Sequence, residues 1–263
     1  MSALLEVRNL SKTFVNRYGL FRKQYFDAVK PVSFSLEAGQ TLALIGQNSS
    51  GKSTLAKMLA GVIEPTSGEI FVNGEKLEHK DYSTRCKLIR VIFQDPNLSL
   101  NPRIQIGRIL EGPLKRNTNM PPEARQRRVI DTLRRVGLLP EHAYFYPQML
   151  AAGQKQRVCI ARALILQPSI IIADEALNGL DMAMRSQIIN LLLELQDEMG
   201  VSFIYVSQQI GIIKHISDKV MVMSQGEVVE SGDTLKVLTE PEHTITQKLV
   251  DNHFYKNRNY SRC

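Results

Sequence analysis

Apolar Thr41–Ile45 runs straight into Gly46, Gln47, Asn48, Ser49, Ser50, Gly51, Lys52, Ser53 and Thr54, and no other stretch restricts the fold of this chain as much. Glycines at 46 and 51 followed by Lys52 and Ser53 fit the phosphate-loop pattern, in which a glycine-rich turn joins a strand to a helix. The spacing has a chemical reason. Where the turn carries no side chains, successive backbone N–H groups can approach phosphate oxygens. The helix N-terminus adds its dipole, the lysine reaches the β- and γ-phosphates, and the serine hydroxyl binds Mg²⁺. A nucleotide-phosphate site on a strand–loop–helix unit is expected.

A second element fits the first. The segment Ser169–Asp174, SIIIAD, reads as an apolar strand ending in an acid. Asp174 is placed to hold Mg²⁺ or its waters, and Glu175 to accept a proton from attacking water. Strand signals at Thr41–Gly46, Arg90–Asp95, Ser169–Asp174 and Ser202–Gln208 alternate with helical segments, the first from about Lys52 to Ala60. That alternation predicts an α/β fold with a largely parallel sheet and crossover helices. The early pieces LLEVRNL and GEIFVNG carry β alternation and predict an antiparallel flank. Between Asp95 and Val158, Leu, Arg and Glu recur at helical spacing with a break at Pro121–Pro122, which predicts a helical insertion. A hairpin-like run, KVMVMSQGEVVESG, then leads to a short helical end.

Composition narrows the class further. The chain has 263 residues, 43% apolar and 22% charged, in the range of folded globular proteins and outside that of disordered or fibrous chains. Its apolar runs, such as Ser169–Ala173 and Ile188–Leu193, fall short of the roughly 20 residues of a membrane-spanning helix. The start, MSALLEVRNL, reaches charge at Glu6 and has neither the basic region nor the apolar core of a secretory leader. Cys86, Cys159 and Cys263 are odd in number and widely spaced, which suits a reducing compartment better than a disulfide framework or a metal knuckle. A formal net charge of +7 suits phosphate ligands, nucleic acid or an anionic membrane face, without choosing among them. Phe14, Tyr18, Phe21, Tyr25 and Phe26 crowd one short stretch, either as a stacking platform or as a loop packed on the core.

Leu150–Leu164, LAAGQKQRVCIARAL, precedes the acid-tipped strand. With it the chain resembles the ATP-binding subunits of ABC transporters, whose LSGGQ signature corresponds to Leu150, Ala151, Ala152, Gly153 and Gln154. The resemblance spans residues 4–250 and implies a P-loop NTPase (RecA-like) core with an antiparallel β flank and an inserted α-helical subdomain. The implied boundaries are residues 1–95 and 159–263 for the core and 96–158 for the helical signature subdomain, in a single cassette. ATP and Mg²⁺ are the implied ligands. Gln94 becomes the Q-loop glutamine and, with Ser53 and Asp174, a metal ligand; Leu177–Asp181 becomes the D-loop with Asp181 as its acid. Phe14 becomes the aromatic on adenine, and Gln208 stands where the family has its switch histidine. The segments Phe93–Arg103 and Tyr146–Leu177 look like the oligopeptide and dipeptide (Opp/Dpp) branch, and most of all its Sap-type peptide systems. That branch implies peptides as cargo, cationic antimicrobial peptides among them, or polyamines by export.

The same resemblance implies partners. They are a second, different ATP-binding subunit, two membrane permease subunits docked near Gln94, and an extracytoplasmic substrate-binding protein if transport is inward. Nucleic acid is not among them. The implied place is the cytoplasmic face of the inner membrane, held peripherally. Relatives often carry clustered cysteines near the C-terminus for an iron–sulfur site, and Cys263 alone cannot build one.

Four residues depart from the family pattern at positions that bear on catalysis. Ala151 lacks the signature hydroxyl and Ala152 adds a methyl where the family has glycine. Gln208 can donate a hydrogen bond but cannot carry charge. Ser49 occupies a loop position where a left-handed backbone would cost about 1–2 kcal/mol. Arg125, Arg127, Arg128, Arg134 and Arg135 read as a solvated helix face, with contact to an anionic membrane surface or a partner loop as the alternative, and His215, on a short helix with Asp218, as a structural or surface residue. Three functions stand open: a hydrolysing motor, a nucleotide-binding regulatory partner, and a soluble ATPase acting on nucleic acid or ribosomes. The last usually fuses two cassettes or adds long coiled coils, and neither is seen here.

Overall fold

A computed structural model of the chain describes residues 3–18 and 22–260. Phe21 and Cys263 lie outside the described residues, as does the side chain of Tyr18. The chain forms two compact units, one of Met1–Tyr82 with Ser202–Cys263 and the other of Ser83–Val201.

In the first unit an antiparallel sheet runs in the order Arg22–Leu36, Leu5–Tyr18, Ser67–Val72, Glu75–Lys76, the expected β flank. Leu5 and Val7 are buried two apart, as pleat alternation requires. The next buried residue, Leu10, breaks that rhythm because a bulge at Asn9, with φ 46°, inserts one residue and returns Leu10 to the core face. The other strands are mostly parallel. Thr41–Gly46 lies between Ser202–Val206 and Lys219–Ser224, parallel to both, and all six of its residues are buried. Flanked on both edges, it reads as a continuous apolar run with no alternation.

Lys219–Ser224 turns back antiparallel into Glu227–Asp233 through Gln225 and Gly226, both left-handed, as a tight hairpin turn demands. The chain closes on Thr244–Tyr260, a helix of 17 residues and longer than the expected short end. Asp218 lies beyond the helix Ile210–Ile216 that carries His215, and its carboxylate accepts from the Thr41 N–H at 2.8 Å.

In the second unit Ile89–Ile92 pairs in parallel with Ile170–Asp174, whose first four residues are buried. The strand expected over Arg90–Asp95 stops at Ile92 because Asp95 caps a helical turn, Pro96–Ser99. Its Oδ1 accepts from the Asn97 N–H at 2.8 Å, and Pro96 opens the turn. Gln94 therefore sits in a loop. Between residues 96 and 169, all described, there is no strand; helices Ile106–Asn117, Pro122–Arg135 and Ala152–Leu164 supply the helical segment, with Pro122 starting the second as its break predicts. Arg125 departs from the solvated-face reading. It pairs with Glu111 at 2.8 Å and donates to the Met120 carbonyl, while Arg127, Arg134 and Arg135 are exposed. Burial pushes the Cys159 thiol up, which keeps it a thiol. No helix among the described residues is long and apolar enough to cross a membrane.

Candidate nucleotide site

The phosphate loop follows its strand without a break and opens the helix Lys52–Leu59. A Cβ on Gly46 would stand 2.1 Å from the Met223 carbonyl, and one on Gly51 would stand 2.5 Å from that of Ala28, so both positions require glycine for room as well as for their positive φ. No side chain caps the helix and no acid stands in its first turn, which leaves its N-terminus suited to an anion. Ser49 does adopt the left-handed backbone, with φ 61°, so the strain its position suggested is present. Lys52 is 5% exposed; its ammonium donates to the carbonyls of Gly46 (2.9 Å) and Gln47 (2.7 Å) and to Ser50 Oγ (3.1 Å). A buried charge requires such acceptors, and they hold it at the centre of the loop.

Gln208 lies just past Ser202–Val206 and reaches the same loop: its Nε2 donates to Asn48 Oδ1 at 2.7 Å. Parallel pairing of Thr41–Gly46 with Ser202–Val206 brings the two carboxyl ends side by side. Phe14 stands opposite Phe26 on the long hairpin of the antiparallel sheet, with the Lys12 ammonium 5.2 Å from its ring centroid. Lys12 is itself anchored by the Glu64 carbonyl at 2.6 Å. Phe14, Tyr25 and Phe26 are exposed and are not packed on a core, which favours the platform reading over the packed loop.

In the second unit Asp174 ends its strand and Glu175 follows with φ 51°, an unusual backbone for a residue with a side chain. Glu175 Oε2 accepts from Asn178 Nδ2 at 3.0 Å, and the Asn178 N–H donates to the Glu175 carbonyl at 3.0 Å. Buried Gln156 donates to the Ala176 carbonyl at 2.7 Å. Asp181 caps the helix Met182–Met199 by accepting from the Met184 N–H. Leu150 is buried, Gly153 is buried, and Ala151 and Ala152 are exposed at the start of Ala152–Leu164. Ala151 has no hydroxyl to cap that helix, though Gln154 Oε1 accepts from its N–H at 3.0 Å. Gln94, Ala152 and the D-loop residues Asn178–Leu180 line one groove of about 550 Å³ with Asp95, Lys155 and Gln156. Asn178 falls within the D-loop expected at Leu177–Asp181, but its bond to Glu175 appears only in the structure, although its dipeptide with Gly179 is a turn signal.

The chain matches the ABC transporter family over residues 29–178. It is 61% identical over 254 residues, 97% of this chain and 95% of the relative, to the putrescine export system ATP-binding protein SapF of Escherichia coli K12. It shares the same identity and coverage with the peptide transport system ATP-binding protein SapF of Salmonella typhimurium LT2. Among solved structures it superposes, with a TM-score of 0.75 and 28% identity over 88% of this chain and 98% of the other, on the dimeric post-hydrolysis state of the ATP-binding cassette MJ0796 bound to ADP and Pi. Likeness of this extent, in sequence and in fold, leads to one conclusion: the chain belongs to the ABC transporter family, as an ATP-binding subunit that hydrolyses ATP.

Proposed function

We propose that the chain is the motor of a peptide-type ABC transporter, working beside a second, different ATP-binding subunit and driving two membrane permease subunits. Its place is the cytoplasmic face of the inner membrane, with an extracytoplasmic binding protein if transport is inward. The observation that carries the reading is an intact acid, Glu175, on a chain that also keeps a complete phosphate loop around buried Lys52. Peptide cargo follows from the likeness to peptide transport SapF; the putrescine export relative supports polyamine export as the second reading.

Lys52 and the loop N–H groups neutralise and orient the β- and γ-phosphates, while Phe14 offers adenine the ring face not covered by Lys12. Ser53, Asp174 and Gln94 bring hard oxygen donors that fit Mg²⁺, which when bound neutralises charge developing on the phosphates. Glu175 takes the proton of the attacking water and Gln208 donates to the γ-phosphate. Leu150–Gln154, on a helical subdomain of residues 96–158, face the ATP held by the second subunit, and Asp181 serves the D-loop. A regulatory subunit would not need an oriented base.

Ala151→Ser sharpens this account. A serine there would cap Ala152–Leu164, worth about 1 kcal/mol, and would supply a hydroxyl to the second subunit's ATP. Steady-state turnover of the complex is expected to rise up to roughly tenfold, since a hydrogen bond to a charged group is worth about 1.5 kcal/mol or more. Unchanged turnover with a raised melting temperature would assign Ala151 a structural part only. The reading as a whole is tested by ATP hydrolysis in the complex of this chain with its partner subunits, and a complex that transports peptide with no ATP turnover at this chain's loop would overturn it.

A further inference from the structure

We propose that Asn178 is a positioning residue for the general base, holding the Glu175 carboxylate in its working orientation; this rests on Glu175 being the base. Glu175 is half-buried, has a left-handed backbone, and opens the turn that carries the chain from the acid-tipped strand into the D-loop. A carboxylate on such a turn can rotate about its side-chain bonds, and a base is useful only within hydrogen-bond reach of its proton. Two interactions hold the backbone of this turn: the Asn178 N–H on the Glu175 carbonyl, and Gln156 Nε2 on the Ala176 carbonyl. A third, Asn178 Nδ2 to Glu175 Oε2 at 3.0 Å, acts on the carboxylate itself. It fixes one oxygen of the carboxylate and with it the direction the base faces. A bond from an amide to an ionised acceptor is among the stronger hydrogen bonds a neutral group can make.

The backbone bond survives any side-chain change, so substitutions at 178 separate the turn from the amide. Asparagine also suits turns on its own account, and a residue kept only for the turn would do nothing to the base. Asn178→Asp decides between the two, because aspartate has the same size and the same liking for turns but replaces the donor with a repelling carboxylate. In the full complex, Asn178→Ala is expected to lower kcat roughly tenfold with KM for ATP unchanged, and Asn178→Asp to lower it at least as far. The double variant Asn178→Ala with Glu175→Gln should be no slower than Glu175→Gln alone, since two residues acting as a unit are not additive. Turnover at the wild-type level in Asn178→Asp, or a loss that appears in KM, would overturn the proposal. If Glu175→Gln itself leaves turnover intact, the assignment of the base fails instead; if it abolishes turnover while both Asn178 variants work normally, only the positioning role fails.

Discussion

Glu175→Gln is expected to lower ATP turnover of the assembled transporter by about 10²–10⁴, the usual contribution of a general base, while ATP binding persists. Glutamine matches the carboxylate in shape, and its side-chain oxygen can still accept from Asn178, so the side chain stays where the wild-type one is held. What disappears is basicity. Binding should survive because the loop groups around Lys52 lie on other segments of the chain. Measuring phosphate release and nucleotide affinity in one preparation separates the two effects. A complex that turns over ATP equally well with glutamine in place would make this chain a nucleotide-binding regulator, with its second subunit doing the chemistry.

Lys52→Ala is expected to weaken ATP binding tenfold to a hundredfold, at roughly 1.5–3 kcal/mol for hydrogen bonds to a charged group, and to remove most of the remaining turnover. The ammonium is the one charge at the centre of the loop, and its removal also leaves the Gly46 and Gln47 carbonyls without that donor. The fold should persist, since Gly46 stays paired with Met223 in the sheet. Lys52→Arg should fail as well, because a planar guanidinium is wider than the 5%-exposed space the ammonium occupies. Equilibrium binding of a labelled nucleotide, with thermal unfolding as control, measures the loss. Wild-type affinity in the alanine variant would mean that the loop N–H groups alone hold the phosphates.

How much of this was readable before the fold was known depends on distance along the chain. Thr41–Gly46 and the loop after it came out as expected because each residue's role depends on its immediate neighbours. The strand near Arg90 was misjudged at its end, since Asp95 and Pro96 favour a helical turn over extended chain, a competition between local signals that apolar runs do not reveal. Arg125 was assigned to solvent because its partner, Glu111, lies on the preceding helix, and helix-to-helix pairing is not written in the spacing of one helix.

Residue types and their spacing carried the chemistry: a glycine-rich phosphate loop, an acid-tipped strand, a signature helix, and the family that combines them. The same sequence pointed to Ser49 as a site of backbone strain, which its φ of 61° bears out. Tertiary structure alone decided which side chains act together. Gln208 and Asn48 are 160 residues apart and meet because parallel strands carry their carboxyl ends to the same edge. Asn178 reaches Glu175 because a left-handed backbone folds the chain sharply just after the strand, and nothing in the residue types around Glu175 requires that conformation. Motifs record what groups can do, and hydrogen bonds across a sheet or around a turn arise only when the backbone brings donor and acceptor within about 3 Å.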